Sequence, residues 1–456
     1  MITYDFDPAN SDSIVTQAEK VLRRSLRQAL SPSQLLEIEK VLNRNRKGHF
    51  GDIVEKYIFN KELNNAPEPD FPKAHLELKT TGILPHKKNG YSAKERLVLG
   101  MIDFDKVVNE TWESSSFLKK NAHLLILFYL FQEELPILDY EFKLIKLLNL
   151  LNDLSSADIL QIKEDWKFIV TKIRHGKAHE LSEGDTFYLG ACTKGATGSK
   201  RRSQPNSTEK ARPRAFSLKQ NYLSAMVAKN TSLIDEDQEA IIPEYDPKSI
   251  EAFVHEKLDK FIGLTTDEIQ AKAGVYLVKD SKAQCYTLSC AMLGTKKKKI
   301  AEFEKANVKM KTIRLECSGT LKESMSFPAM DYMEIVEEEW EESTFRDFIS
   351  SNKYLFMIFQ FDKDGALRFT KHMFWNIPYA DLEEHVRKVW EITVDSIRHC
   401  QADALPGIKH DSVCHVRPHG SDNHDIAPTP CGTYVKKQSF WLNASYIREQ
   451  IKKAKN

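Results

Sequence analysis

Long apolar runs are missing from this chain. The longest, such as Leu124 to Phe131, are far too short to cross a bilayer and read as buried strands. The charged segment after Met1 also lacks a signal-like apolar core, so the expectation is a cytoplasmic protein with no membrane partner. Cysteine is scarce. Seven residues, an odd number scattered at 192, 285, 290, 317, 400, 414 and 431, argue for reduced thiols rather than a disulfide framework. Cys414, His415, His419, His424 and Cys431 crowd one segment, but their spacing matches no standard zinc pattern. Net charge is nearly absent too, at +1, yet Lys194 to Arg214 carries seven basic residues against the single acid Glu209. Hydrophobic residues at 41% and charged residues at 29% describe an ordinary globular chain, and 456 residues suggest two or three domains at roughly 150 residues each.

What is present is a mixed α/β pattern with a central sheet. Residues 12 to 45 show helical periodicity, broken at Ser31 to Ser33 and restarted by SPSQLLEIEKVL, with a serine cap and a proline in the first turn. HFGDIVEKYIF then reads as a helix carrying Glu55, LLILFYLF as a strand, and 156 to 180 as an amphipathic helix.

The stretch PDFPKAHLELKTT, Pro69 to Thr81, carries the chemistry. HLELKT reads as a strand, so Glu77 and Lys79 point the same way, and Pro67 and Pro69 hold an extended approach that could turn Asp70 back towards Glu77. Two carboxylates supply hard oxygen ligands for Mg²⁺, and a lysine beside them can stabilise charge building on a phosphate. Acid, acid and lysine also occur by chance on solvated strand edges, so the spacing alone decides nothing.

An internal repeat adds an independent argument. KERLVLGMIDFDKVVNETWESSSFLKKNAHLLILFYLF is answered by KESMSFPAMDYMEIVEEEWEESTFRDFISSNKYLFMIFQF, with Glu95 to Trp112 and Glu323 to Trp340 both 17 apart. EDWKFIVTKIRHGKA recurs as RKVWEITVDSIRHCQA, and RAFSLKQNYLSAM near 214 has a looser echo in KQSFWLNASYI. The expected organisation is a module at 1–230, a linker at 231–248 and a second copy at 249–456. LELKT corresponds to VKMKT, so Glu77 is matched by Lys309 and Lys79 by Lys311, while only Glu302 or Glu304 could stand for Asp70. Eight residues after Trp340 lies Phe348, where the first copy has Lys120. An ammonium in place of a metal-binding carboxylate disqualifies the second copy as a nuclease of this type.

The first copy resembles the MutH family of GATC-specific endonucleases, and the two-copy chain resembles the Sau-type restriction endonucleases. The resemblance rests on KGHFGDIVEKYIF, PDFPKAHLELKT, KERLVL, TWESSSFLKK, EDW, GKAHELSEGDTFYLGACTKGA, PRAFSLKQNY, CHVRP and KQSFW. It implies the restriction-endonuclease-like fold, PD-(D/E)XK, in two tandem MutH-like domains. It also implies Mg²⁺ held at Asp70 and Glu77, Lys79 near the nucleophilic water, Lys120 beside the scissile phosphate and Glu55 as a supporting acid. In the mismatch-repair relatives an Arg-Pro pair reads bases. Here the first copy has Cys192, Thr193 and Lys194 at that place, whereas the second keeps Arg417 and Pro418, suggesting guanine readout by Arg417. At the repair enzyme's methylation-sensing tyrosine stand Ser217 and Trp441, and a serine leaves room for N6-methyladenine. Lys47 and Gly48 match a loop approaching DNA, and Lys194, Lys200, Arg201, Arg202 and Lys219 are expected to track phosphates.

The resulting expectation is a type II restriction endonuclease cutting both strands of GATC in double-stranded DNA. The second copy would bind another GATC as an effector, and two chains would meet transiently on the palindrome. Alternatives are a mismatch-repair nickase and a non-cutting DNA-binding regulator.

Overall fold

The structure, a computed structural model, describes residues 2–41, 49–63, 66–86, 90–194, 200–230, 237–277, 283–420, 422 and 424–454. It is mixed α/β. The first large sheet runs in the order Tyr91–Ala93, Glu77–Pro85, His123–Leu130, Phe142–Asn149, with Glu77–Pro85 parallel to His123–Leu130 and the outer pairings antiparallel. Period-two alternation explains it. Leu124, Ile126 and Phe128 enter one core while Leu125 and Leu127 enter another under the amino-terminal helices. In the carboxy-terminal half Val308–Leu315, Lys353–Phe361 and Leu367–Trp375 repeat the parallel-then-antiparallel order.

Two smaller antiparallel sheets also correspond. Leu97–Met101, Arg214–Leu218 and Leu189–Thr193 form one; Met325–Ala329, Gln438–Leu442 and Cys414–Pro418 form the other. Long helices Ser156–Arg174 and Arg387–Arg398 bury Trp166 and Trp390 against them. Ser155 caps the first of these through the Asp158 amide.

The amino-terminal helical region breaks earlier than its periodicity suggests. Ser11–Glu19 ends before Arg23, which adopts a left-handed φ of 61°, and Leu26–Ala29 restarts under a Ser25 capping box. From residue 238 the connecting segment is packed rather than loose. Gln238–Glu239 pairs with Lys299–Ile300, and Glu302 accepts from the amides of Ile241 and Ile242. One hydrophobic core continues from Phe187 and Leu189 through Ile250 and Phe253 to Leu355 and Phe369.

The reading of all seven cysteines as free thiols is corrected. Cys400 and Cys431 are bonded, with S–S 2.02 Å and Cα–Cα 5.7 Å. Cys400 sits at φ 63° just past the helix Arg387–Arg398, a turn that brings it to the Thr429–Gly432 turn 31 residues on. Cys431 is thereby withdrawn from the His415 and His419 neighbourhood, where His415 pairs with Asn443 and His419 with Ser439.

Candidate active site

Asp70 is brought to Glu77 by a tight turn. Phe71 and Leu76 bridge across Pro72–Ala74, and His75 closes the turn at a left-handed φ of 50°. Phe71, Leu76 and Leu78 are buried together, which anchors both ends of that turn. The Asp70 amide donates to Glu77 Oε2 at 3.0 Å, and Asp70 Oδ2 accepts from the Leu78 amide at 3.0 Å. Lys79 donates to Glu77 Oε1, and Lys120 Nζ lies 3.7 Å from that same oxygen while donating to the Ala66 carbonyl at 3.0 Å. Glu55 comes from the helix His49–Phe59, which approaches the strand closely at Gly51: a Cβ there would stand 3.3 Å from Thr80 Oγ1.

One participant escaped sequence reasoning. Lys61 Nζ sits 2.9 Å from Asp70 Oδ1 and 2.5 Å from the Asp70 carbonyl, with the Phe71 ring beside it. It lies in NKELNN, a stretch with no periodicity or motif to mark it.

The three acids are in different electrostatic states. Burial opposes ionisation of Asp70, but Lys61, Lys79 and the Leu78 amide outweigh it and hold the carboxyl below its usual range. Glu77, with a side chain 2% exposed, is raised by burial and by the Asp70 charge despite Lys79 and Lys120. Glu55 is pushed up to about 7, chiefly by burial and then by Asp70. Three carboxylates thus face three ammoniums, and burial is what holds Glu77 and Glu55 towards their protonated forms. A divalent cation beside them would favour the ionised forms, and hard carboxylate oxygens suit Mg²⁺, so the residues present fit such an ion.

The carboxy-terminal half places Lys309 and Lys311 opposite Tyr354 and Phe356, as Glu77 and Lys79 face Leu124 and Ile126. Burial first, then the Lys309 charge, lowers the Lys311 pKa. Glu302, bound to the Ile241 and Ile242 amides, is engaged away from them. The helix Thr344–Ser351 is two residues longer than Ser116–Asn121, so counting from Trp340 aligns Lys120 with Phe348, whereas counting back from the strand reaches a serine. Neither is basic.

The expected DNA contacts divide. Arg417 and Pro418 are exposed, and the Arg417 guanidinium lies 3.7 Å over the half-buried Trp441 ring. By strand register Cys192 and Thr193 occupy the places of Arg417 and Pro418, since Ala191 pairs with Phe216 as Val416 pairs with Phe440. Lys200, Arg201 and Arg202 are exposed and Lys194 is half-buried. Ser217 is 0%, Cys192 2% and Lys219 4% exposed, so in the chain without DNA these three side chains are buried. Lys219 donates to the Thr186 carbonyl beside the buried Asp165, and burial lowers its pKa to about 8. Thr193 Oγ1 accepts from Arg214 at 2.9 Å. Lys47 and Gly48 lie outside the described residues. No helix among the described residues is long and apolar enough to cross a membrane.

The family model for the DNA mismatch repair enzyme MutH matches residues 59–165 and 293–385, one segment in each half. A type II restriction enzyme of Staphylococcus aureus, Sau3AI, is 34% identical over 457 aligned positions, covering 89% of this chain and 92% of that enzyme. The chain thus belongs to the family of MutH-type restriction endonucleases and is a type II site-specific deoxyribonuclease.

Proposed function

We propose that this endonuclease recognises GATC in double-stranded DNA, cuts both strands with Mg²⁺, and does so through Asp70, Glu77, Lys79, Lys120 and Glu55. The observation that carries the reading is the cluster itself: the Asp70 backbone amide donates to Glu77 Oε2 at 3.0 Å, Lys79 sits on the Glu77 carboxylate and Lys120 lies 3.7 Å from it. Asp70 and Glu77 would hold Mg²⁺, which when bound supplies charge to the phosphate and acidifies water. Lys79 orients the attacking water and Lys120 hydrogen-bonds a non-bridging phosphate oxygen, both beside the buried Glu77 carboxylate. Glu55, poised near neutrality, accepts a proton from the water as it adds to phosphorus. The P–O3′ bond breaks in line and the departing 3′-oxygen takes a proton from solvent water, leaving 5′-phosphate and 3′-hydroxyl ends.

The division into residues 1–230 and 249–456 is part of this proposal, with the second unit a MutH-like module that binds DNA without cutting. It is supported by the matching sheet orders and by Lys309 and Lys311 at the carboxylate positions. Arg417, exposed on its strand, is the candidate for reading guanine at a second GATC site, so cleavage should be faster where two sites can be looped together. One such acidic cluster among the described residues and a two-strand cut call for transient pairing of two chains on the palindrome.

Incubation with Mg²⁺ and a plasmid bearing several GATC sites tests the reading. Linear fragments ending at GATC are expected. Nicked circles would favour a repair-type nickase, and uncut plasmid would overturn the proposal.

A further inference from the structure

Away from the acidic cluster, the described residues bring together two histidines and an aspartate in the carboxy-terminal half. His255 and Asp259 stand four apart on one face of the helix Ile250–Asp259, and His372 rises from the strand Leu367–Trp375 on which that helix packs. One ligating atom from each lies within 4.8 Å of the others. His372 Nε2 is 2.8 Å from Asp259 Oδ1, and the two imidazole rings are 4.8 Å apart between centroids. The His372 side chain is 2% exposed, and its Nδ1 has no hydrogen-bond partner.

The amino-terminal half supplies an internal control. Gly263 N donates to the Phe369 carbonyl at 2.7 Å as Arg23 N does to that of Phe142 at 2.8 Å, and the Thr265–Arg368 bridge repeats Ser25–Glu141. Strand pairing agrees, with His372 opposite Met357 as Ile145 is opposite Leu127. On this correspondence His255, Asp259 and His372 occupy the positions of Val15, Glu19 and Ile145. Val15 and Ile145 pack against the core beneath the first helices. The same helix-on-strand contact can therefore close with two aliphatic side chains, and nothing in the architecture requires imidazoles there.

We propose that His255, Asp259 and His372 bind a divalent cation of the zinc, cobalt or nickel type, at a site separate from Asp70 and Glu77. Two imidazole nitrogens and one carboxylate suit borderline ions, whereas Mg²⁺ prefers an all-oxygen shell. Ligand atoms around tetrahedral Zn²⁺ stand roughly 3.3 Å apart, for Zn–N near 2.0–2.1 Å. Rotation of the His255 side chain, 46% exposed, can close the remaining gap. Burial lowers the His372 pKa, keeping the ring in its neutral, ligating form. Glu251, 3.9 Å from His255, adds negative charge beside the site. The ion would clamp the first helix after the connecting segment onto the edge strand of the carboxy-terminal sheet and leave a fourth position to water.

The test uses the full chain stripped with chelator and titrated with Co²⁺ and with Zn²⁺. One Co²⁺ per chain with visible ligand-field bands, counted with Mg²⁺ present to occupy the Asp70–Glu77 cluster, and a rise in unfolding temperature with Zn²⁺, are expected. His255→Val and His372→Ile install the residues found at the matching amino-terminal positions; both should lose bands and rise while retaining the circular dichroism spectrum. If His372→Ile fails to fold, His255→Val at its exposed position decides alone. Equal Co²⁺ uptake by wild type and His255→Val, or no bands in wild type, overturns the proposal. Neither readout depends on DNA cleavage.

Discussion

Replacing Glu55 with glutamine should change the pH dependence of stability, and the sign follows from its environment. In the folded chain the Glu55 pKa is about 7, against an ordinary value of 4.5. Between those values the folded state keeps a proton that the unfolded chain has released, so stability falls as pH rises from about 4.5 to about 7 and then levels. At about 1.36 kcal/mol per pH unit the full shift corresponds to roughly 3 kcal/mol. Glu55 is only half-buried, and solvent screening reduces this to about 1–2 kcal/mol. Glu55→Gln carries no charge at any pH, so in chelator it should match wild type near pH 4.5 and exceed it by about that amount at pH 8.5. Urea unfolding at a series of pH values measures the difference. Saturating Mg²⁺ should shrink it, because a cation beside the carboxylate lowers the pKa that burial raised. A constant wild-type-minus-variant difference across that range would refute the reasoning.

Three further outcomes are expected. Lys61→Met deprives the partly buried Asp70 of its 2.9 Å ion pair and should destabilise the metal-free chain by about 1–3 kcal/mol; Mg²⁺ should then raise its unfolding temperature more than that of wild type, and an equal rise would show that Lys61 does not compete for Asp70. Gly176→Ala should lower stability by more than the ordinary glycine penalty of about 1 kcal/mol, since φ is +70° and a Cβ would meet the Asn206 carbonyl oxygen at 2.5 Å; thermal unfolding checks it, and an unchanged midpoint counts against the packing there. Arg417→Ala should weaken binding to a GATC duplex by about 1–3 kcal/mol, the range for one bidentate guanine contact, and remove the advantage of two-site over one-site plasmids; unaltered affinity would exclude Arg417 from base reading.

Much of the architecture is written in local patterns. Alternation in Leu124–Phe128, the serine cap at Ser155 and the equal Glu–Trp intervals all point to sheets and helices that the structure contains. What sequence reasoning lacked is set by tertiary geometry. Asp70 reaches Glu77 through the left-handed His75 rather than through its prolines alone, and Lys61 is known only by where its ammonium ends. Lys219 and Ser217 carry polar side chains that suggest a surface, yet they sit on a strand end covered on both faces. The Cys400–Cys431 bond joins residues 31 apart, a spacing without meaning until the helix Arg387–Arg398 is placed. His255, Asp259 and His372 likewise become a group only when helix meets strand.

The measurement that bears most directly on the acidic cluster is Glu77→Ala, assayed for binding and cutting on one GATC duplex. Fluorescence anisotropy should show site-specific binding retained, and gel analysis with Mg²⁺ should show strand cleavage abolished. A variant that still cuts at the wild-type rate would remove Glu77 from the chemistry and contradict the assignment of Asp70, Glu77 and Lys79.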